Sequence, residues 1–487
     1  VESQGRLVLV AVSCGMASPA LAPDRILAVF RALQANRATV KRTSASQRIS
    51  KLEKLREAIQ AREPKIREAL AKDFRKAATE VDLTELFPVL VEIKDAIKHL
   101  HRWMRPQRVD TPMSMLGTAS EVLYEPKGCV LIIAPWNYPF QLAIAPVIAA
   151  VAAGNTMVLK PSELTPATAA VLQDLIGEVF AENEVAVVQG DAVETQKLLA
   201  LPFEHFFFTG STKVGRIVAE AAAKHLASTT LELGGKSPAI VDDSADMKST
   251  ARRLVWGKFV NGGQTCIAPD YIMVAEGKQT ALVEALRSAI TDMYGADAKK
   301  SADFCRIINS RNYDRLTGML DATVKEGGKV EIGGERDAGE RYIAPTVVTN
   351  VKPESALMAE EIFGPILPIL TFKNLDEVAP FITARDKPLA LYMFGNDERR
   401  IDDVIANTTA GGTSINNTVI HFANQNLPFG GVGPSGLGSY HGYYGFKTFS
   451  HERAVLRQGR IDAFKSVYPP YTEKVQKMFK WMKRIFT

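Results

Sequence analysis

His205-Phe206-Phe207-Phe208-Thr209-Gly210-Ser211-Thr212-Lys213-Val214-Gly215 decides how this chain folds. A short apolar run, a polar turn with glycine and the start of a helical pattern read as strand, turn and helix. That is the repeating unit of a parallel sheet. The turn aims backbone N–H groups and a helix N-terminus at one point, which suits a phosphate. It is not a P-loop, because Arg216 rather than Lys follows Gly215. A literal Gly-x-Gly-x-x-Gly exists at Gly431-Val432-Gly433-Pro434-Ser435-Gly436, but it contains proline and follows no strand. It reads as a turn-rich loop, a wall and not a cradle.

The alternation extends both ways. Residues 129–134, 156–159, 185–188 and 229–233 read as further strands, and 166–180, 193–199 and 214–225 as helices. The run 129–134 is continuously apolar, as expected of a strand covered on both faces. This order implies a doubly wound parallel sheet with right-handed crossovers. A second alternating stretch runs from about 237 to 416. Upstream, residues 23–101 read as helices: Ser44-Ala45-Ser46-Gln47 is a start signal, and Leu52, Leu55, Ala58 and Ile59 recur at helical spacing. The proline-bearing stretch 105–118 breaks the pattern, and a short strand follows it.

At 487 residues the chain is too long for one core. With 46% hydrophobic and 23% charged residues it is an ordinary globular protein. The four cysteines, at 14, 129, 266 and 305, have neither metal-like nor paired spacing. No metal site is expected, and reduced thiols in the cytoplasm fit. The net charge of +5 belongs to the tail: residues 457–487 carry +6 and the rest is near neutral, which argues against a nucleic-acid groove. The apolar run at 7–12 is too short for a membrane span, and residues 1–20 read as a leader.

Three residue types then assemble a chemistry. Cys266 follows Asn261-Gly262-Gly263-Gln264-Thr265, where small residues let backbone approach a ligand. A helix N-terminus or an electropositive neighbour would lower its pKa. Taken alone, a buried inert cysteine is the blander reading. Glu232 ends an apolar strand at Gly234-Gly235, and a strand C-terminus in a parallel sheet borders the ligand crevice. Partial desolvation there would suit a general base. Asn137, in Pro135-Trp136-Asn137-Tyr138-Pro139, reads either as the cap of the following helix or as an amide donor to an oxyanion. None of the seven histidines has the context of a catalytic base, so a Cys-His protease does not fit. Lys160 and Glu163, in Lys160-Pro161-Ser162-Glu163, end another strand.

These stretches, with Glu360-Glu361-Ile362-Phe363-Gly364-Pro365 and Pro428-Phe429-Gly430-Gly431, resemble the aldehyde dehydrogenase superfamily and stand in its order. The ending Gly433 to Tyr440-His441-Gly442 is similar to the class 3 branch, and Ala268-Pro269-Asp270-Tyr271 to bacterial coniferyl aldehyde dehydrogenases. The resemblance implies an α/β fold with two doubly wound domains and a small β arm. It assigns 21–107 and 126–233 to a cofactor-binding domain and 234–423 to a catalytic domain. It places 108–125 and 424–465 in the arm and 466–487 in a basic tail. It implies that Cys266 attacks the aldehyde, that Asn137 and the Cys266 N–H hold the oxyanion, and that Glu232 activates the hydrolytic water. It places Trp136, Lys160, Glu163, Gly210, Ser211, Gly215, Gly234, Glu361 and Phe363 at the cofactor, and Tyr138, Leu142, Trp256 and Thr265 at the substrate. A carboxylate at Glu163 would favour NAD over NADP, and class 3 relatives imply a homodimer. The implied substrate is an aromatic aldehyde such as coniferaldehyde, or a medium-chain one. A CoA-acylating enzyme and a non-enzymatic protein of the same fold are the alternatives. The tail mixes bases with Met478, Phe479, Trp481 and Met482. It reads as a packed or loose segment, with a peripheral membrane helix and oxidation of long-chain aldehydes as the second reading.

Overall fold

The computed structural model describes residues 23–460 and 468–486. The expected leader and Cys14 lie outside them. The chain opens with helices Pro23–Lys41 and Ala45–Phe74. The second starts where the sequence signalled: Ser44 is its cap and Gln47 closes a capping box. Leu52, Leu55, Ala58 and Ile59 all face the core. A short helix Ala78–Val81, a π-helical turn Asp82–Leu86 and the helix Phe87–Trp103 follow.

The strands are β1 (Gln107–Val109), β2 (Thr118–Pro126), β3 (Cys129–Ile133), β4 (Thr156–Lys160), β5 (Val185–Val187), β6 (His205–Thr209) and β7 (Ser228–Glu232). Next come β8 (Pro238–Val241), β9 (Tyr271–Ala275), β10 (Lys329–Ile332), a small hairpin of β11 (Arg336–Asp337) and β12 (Tyr342–Ile343), and β13 (Thr346–Thr349). The last are β14 (Ile366–Phe372), β15 (Ala390–Phe394), β16 (Gly412–Ile415), β17 (Gly436–Leu437) and β18 (Ser450–Gln458).

They form two large sheets, ordered β17-β7-β6-β3-β4-β5 and β10-β13-β14-β9-β8-β15-β16. Both are parallel except at one edge, where β17 runs against β7 and β10 against β13. Strands β3, β4, β6, β9 and β15 are buried along their length, which is why they read as largely apolar runs. The helix Gln141–Ala153 is apolar all round for the same reason: all of its residues are buried.

A third, small antiparallel sheet is ordered β1-β2-β18, with β18 paired to β2 from Ser450 to Gln458. Residues 424–449, expected in the arm, go elsewhere. Gly436 and Leu437 pair with Glu232 and Leu231 of β7, and the helix Gly442–Thr448 packs against the helix Gln141–Ala153. Its glycines and aromatics give no strand period from which the sequence could have placed it. Among the described residues, no helix is long and apolar enough to cross a membrane.

Candidate active site

Parallel strands bring their C-terminal ends to one edge. Asn137 follows β3, Lys160 ends β4, Gly210 and Ser211 follow β6, and Glu232 ends β7. In the second sheet the chain meets this edge from the opposite side. Gly234 precedes β8, Cys266 precedes β9 and Glu361 precedes β14. The site therefore lies where strand ends of one sheet meet strand starts of the other.

The Cys266 loop is built from a tight turn. The helix Met247–Phe259 ends in Val260–Gly263, where Asn261, Gly262 and Gly263 are left-handed at φ 55°, 61° and 74°. Gly263 is obligatory: a Cβ there would stand 2.3 Å from the carbonyl oxygen of Gly364. The close approach is thus to backbone of this chain, where the sequence suggested a ligand. Asn261 holds its strained conformation through three bonds. Its N–H donates to Glu80 at 3.0 Å, and its amide donates to the carbonyls of Asn137 at 2.8 Å and Gln264 at 3.1 Å. Gln264 in turn donates to the carbonyls of Asn261 and Arg306 and accepts from Ile308 N–H. Tyr392 donates to the carbonyl of Ile267.

Asn137 does not cap the helix that follows it. Glu85 does, accepting from the N–H groups of Phe140 at 3.2 Å and Gln141 at 2.9 Å. The Asn137 amide instead donates to the carbonyl of Gln264 at 3.1 Å, two residues before the thiol. Tyr138 OH is 2.6 Å from Thr265 Oγ1, and Lys76 Nζ lies 4.1 Å from the centroid of the Tyr138 ring. Lys76 is itself paired with Glu85 at 2.8 Å, both fully buried. Leu142 is one turn along from Tyr138 and buried. Trp256 stands half-buried on the last turn before the Cys266 loop.

Cys266 as a residue is half-buried. Burial pushes its pKa up to about 12, and the carboxylates of Glu361 and Glu232 push the same way, against the N–H groups of Cys266 and Ile267. The activation by a positive neighbour anticipated from the sequence is not what this arrangement supplies. Glu232 is 2% exposed, and neither carboxylate oxygen has a hydrogen-bond partner among the described residues. Burial raises its pKa well above the usual carboxylate range.

At the cofactor edge, Ser211 caps the helix Thr212–Lys224, and Gly210 N–H donates to the carbonyl of Glu232 at 2.9 Å. Gly215 packs that helix against the sheet, since a Cβ would stand 2.6 Å from Leu233 Cδ2. Lys160 bonds Glu163 at 2.8 Å, with the lysine buried and the carboxylate open. Glu361, its pKa raised to about 8 mainly by burial, accepts from Gly235 N–H, and its Oε2 lies 2.1 Å from where a Cβ on Gly234 would be. Phe363 is left-handed at φ 52° and meets Trp136 edge-on at 5.3 Å between centroids. Arg315 clamps this segment, donating to the carbonyls of Glu361 at 3.2 Å and Ile362 at 2.6 Å.

These residues fit a dinucleotide. A capped helix N-terminus faces the strand edge, and the buried hydroxyls of Thr209 and Thr165 have no partner among the described residues. Val214 and Ile217, exposed on the first two turns of that helix, add an apolar surface for a flat ring. Sequence reading missed this pair, although two apolar residues at i and i+3 on an amphipathic helix were a usable signal. It also missed Glu80, Lys76, Glu85, Asn261 and Arg315, for which there was no local signal. The loop 431–436 is fastened to this edge: Ser435 O accepts from Leu233 N–H at 3.1 Å and Pro434 O from Thr212 Oγ1 at 3.0 Å. Among the described residues no cluster of three or more His, Cys, Asp or Glu side chains is placed to hold a metal.

The model of the aldehyde dehydrogenase family matches residues 16–455. The chain is 47% identical over 440 residues to the 4,4'-diaponeurosporen-aldehyde dehydrogenase of Staphylococcus aureus, covering 90% of this chain and 94% of that one. It is 45% identical over 430 residues to the dimeric NADP-preferring aldehyde dehydrogenase of Rattus norvegicus, covering 88% and 94%. The substrate-bound structure of Staphylococcus aureus AldH superposes with a TM-score of 0.91 at 46% identity, covering 95% of this chain and 99% of that one.

Proposed function

The chain belongs to the aldehyde dehydrogenase family, on its class 3 side, and we propose that it oxidises apolar aldehydes, aromatic or medium-chain, to carboxylic acids through Cys266. It is an oxidoreductase whose oxidant is NAD or NADP. The observation that carries the reading is the meeting of three groups from distant parts of the chain. The Asn137 amide is bonded to the backbone of the Cys266 loop, and a buried carboxylate without a partner among the described residues, Glu232, acts on the same thiol.

A thiol held up at about 12 is protonated at rest, so its proton leaves as the sulfur attacks. Glu232 accepts it. The bond from Sγ to the carbonyl carbon forms, and the carbonyl π pair moves to oxygen. The Asn137 amide and the Cys266 N–H stabilise that oxyanion, each donor being worth roughly 3 kcal/mol. Bound NAD or NADP supplies the hydride acceptor that removes two electrons from the carbon. Once that proton has passed to solvent, Glu232 takes a proton from the water that cleaves the Cys266 thioester, and the acid leaves as Sγ regains a proton. Trp136, Gly210, Ser211, Gly215, Gly234, Glu361 and Phe363 form the holder for the dinucleotide, and Tyr138, Leu142, Trp256 and Thr265 the aldehyde tunnel. Glu163, bonded to Lys160, accepts from a ribose hydroxyl and repels a 2′-phosphate, so NAD is preferred. The β1-β2-β18 arm exposes Val109 and Leu456 and leaves β1 and β18 as sheet edges, the surface on which a second copy docks to give a dimer.

The test is reduced-cofactor formation with benzaldehyde, coniferaldehyde, hexanal and decanal, with and without CoA. Turnover without CoA that vanishes in Cys266→Ala is expected. In Glu232→Gln, a slowed first turnover and no steady-state release are expected, together with loss of the acid limb of the kcat profile. Activity only with CoA would overturn the hydrolytic reading. A higher kcat/KM with NADP than with NAD would overturn the assignment of Glu163.

A further inference from the structure

The helix Glu473–Phe486 takes no part in the site. Projected at about 100° per residue, Val475, Met478, Phe479 and Met482 share one arc roughly 100° wide. Lys474, Lys477, Lys480, Lys483 and Arg484 occupy the rest of the circumference, and Glu473 is the one acid, so the helix carries +4. Other helices of this chain sink their apolar stripe into the core. Glu398–Asn407 buries Ile401 and Val404, and Thr212–Lys224 buries Gly215, Val218 and Ala222. This one buries none of its described side chains, and Phe479 and Trp481 are each 62% exposed.

From this we infer that the helix is a docking surface for an anionic lipid bilayer. Charge complementarity selects this occupant. A protein groove for the helix would need an acidic rim as well as an apolar floor, whereas the body of this chain is near neutral overall and offers a +4 helix no net attraction. An anionic bilayer presents negative headgroups directly above an apolar boundary, which matches the basic and apolar arcs together. Lysines beside the apolar arc lay their methylene stems along it while the ammonium stays at headgroup level. Trp481, standing among the bases, suits the same depth. Fourteen residues at about 1.5 Å each span roughly 21 Å, short of the ~30 Å hydrocarbon core. The helix therefore lies on the surface and does not cross.

The experiment is co-sedimentation of the full chain with vesicles of phosphatidylcholine alone and with about one third phosphatidylglycerol. Binding to the anionic vesicles, its weakening by salt and a blue shift of Trp481 emission are expected. Met478→Glu with Met482→Glu abolishes binding and leaves turnover of benzaldehyde unchanged. Lys477→Gln with Lys480→Gln weakens it about thirtyfold, each base near such a surface contributing roughly a factor of five. Trp481→Phe removes the spectral shift and keeps the binding. Three results would overturn the inference. They are no binding to anionic vesicles, equal binding to both vesicle types unaffected by the lysine changes, and Met variants that alter the mass of the protein in solution in place of sedimentation. The last would assign the face to a second copy. None of these outcomes depends on which aldehyde the enzyme oxidises.

Discussion

Replacing Lys258 by methionine is expected to stabilise this protein, and to do so only below a defined pH. Lys258 stands on the last turn of the helix Met247–Phe259, is fully buried, and its Nζ has no hydrogen-bond partner among the described residues. Burial lowers its pKa from 10.5 to about 8. Asp270 and Glu361 pull it back up, and Lys236 adds to the fall. At about 1.4 kcal/mol per pH unit, that fall corresponds to roughly 3 kcal/mol of folded-state penalty when the group is charged. The unfolded chain keeps the proton up to about 10.5, whereas the folded chain releases it near 8. Between these values the unfolded state binds more protons, so wild-type stability rises with pH. Methionine has similar volume and no charge. Lys258→Met should therefore be more stable by about 3 kcal/mol at pH 7, with the advantage closing as pH rises from 8 towards 10.5. With an unfolding entropy near 2.1 cal/mol/K per residue, the gain at pH 7 is about 3 °C in Tm. Urea unfolding at pH 7 and pH 10, supported by calorimetry, measures it. An advantage of equal size at both pH values, or a loss at pH 7, would refute the reasoning. The first would mean packing decides the effect, the second that the charge is compensated.

Three further outcomes follow from the loop geometry. Asn137→Ala should lower the rate of hydride transfer, read by stopped flow, by about a hundredfold to a thousandfold, and an unchanged rate would remove the amide from the oxyanion site. Gly263→Ala should cost at least ~3 kcal/mol, because a left-handed residue is driven into the Gly364 carbonyl. Gly262→Ala, whose Cβ would meet Cys305 Sγ at 3.0 Å, should cost about 1 kcal/mol, and unfolding midpoints separate the two. Glu80→Ala should destabilise by about 1–3 kcal/mol and lower kcat, since Asn261 N–H loses its acceptor, while Glu80→Gln keeps an acceptor and recovers both. Equal loss in both Glu80 variants would show that the charge, and not the hydrogen bond, matters there.

Much of the architecture was legible because its signals are local. Unbroken apolar runs gave β3, β4 and β6, and a serine followed three residues later by glutamine gave the start of the helix Ala45–Phe74. The antiparallel edges β17 and β10 were not legible. A two-residue strand has no period, and Gly436-Leu437 lies in a glycine-rich loop that reads as a turn. The tail gave its amphipathic pattern readily, but whether that face was covered by the chain itself had no local sign.

The sequence by itself determined the parallel α/β order, the candidate nucleophile, carboxylate and amide, and the side of each strand on which they fall. Only the tertiary structure decided what surrounds them. Asn137 precedes a helix in sequence, yet its amide bonds Gln264, 127 positions away, and the cap comes from Glu85. Asn261 is held by Glu80 across 181 positions. The Cys266 thiol, open to activation on its sequence context, is raised by burial and by Glu361 and Glu232. Periodicity and turn chemistry act over a few residues and are written in the chain. Burial, the neighbours that set a pKa and the partners of a polar group exist only after remote segments have closed together.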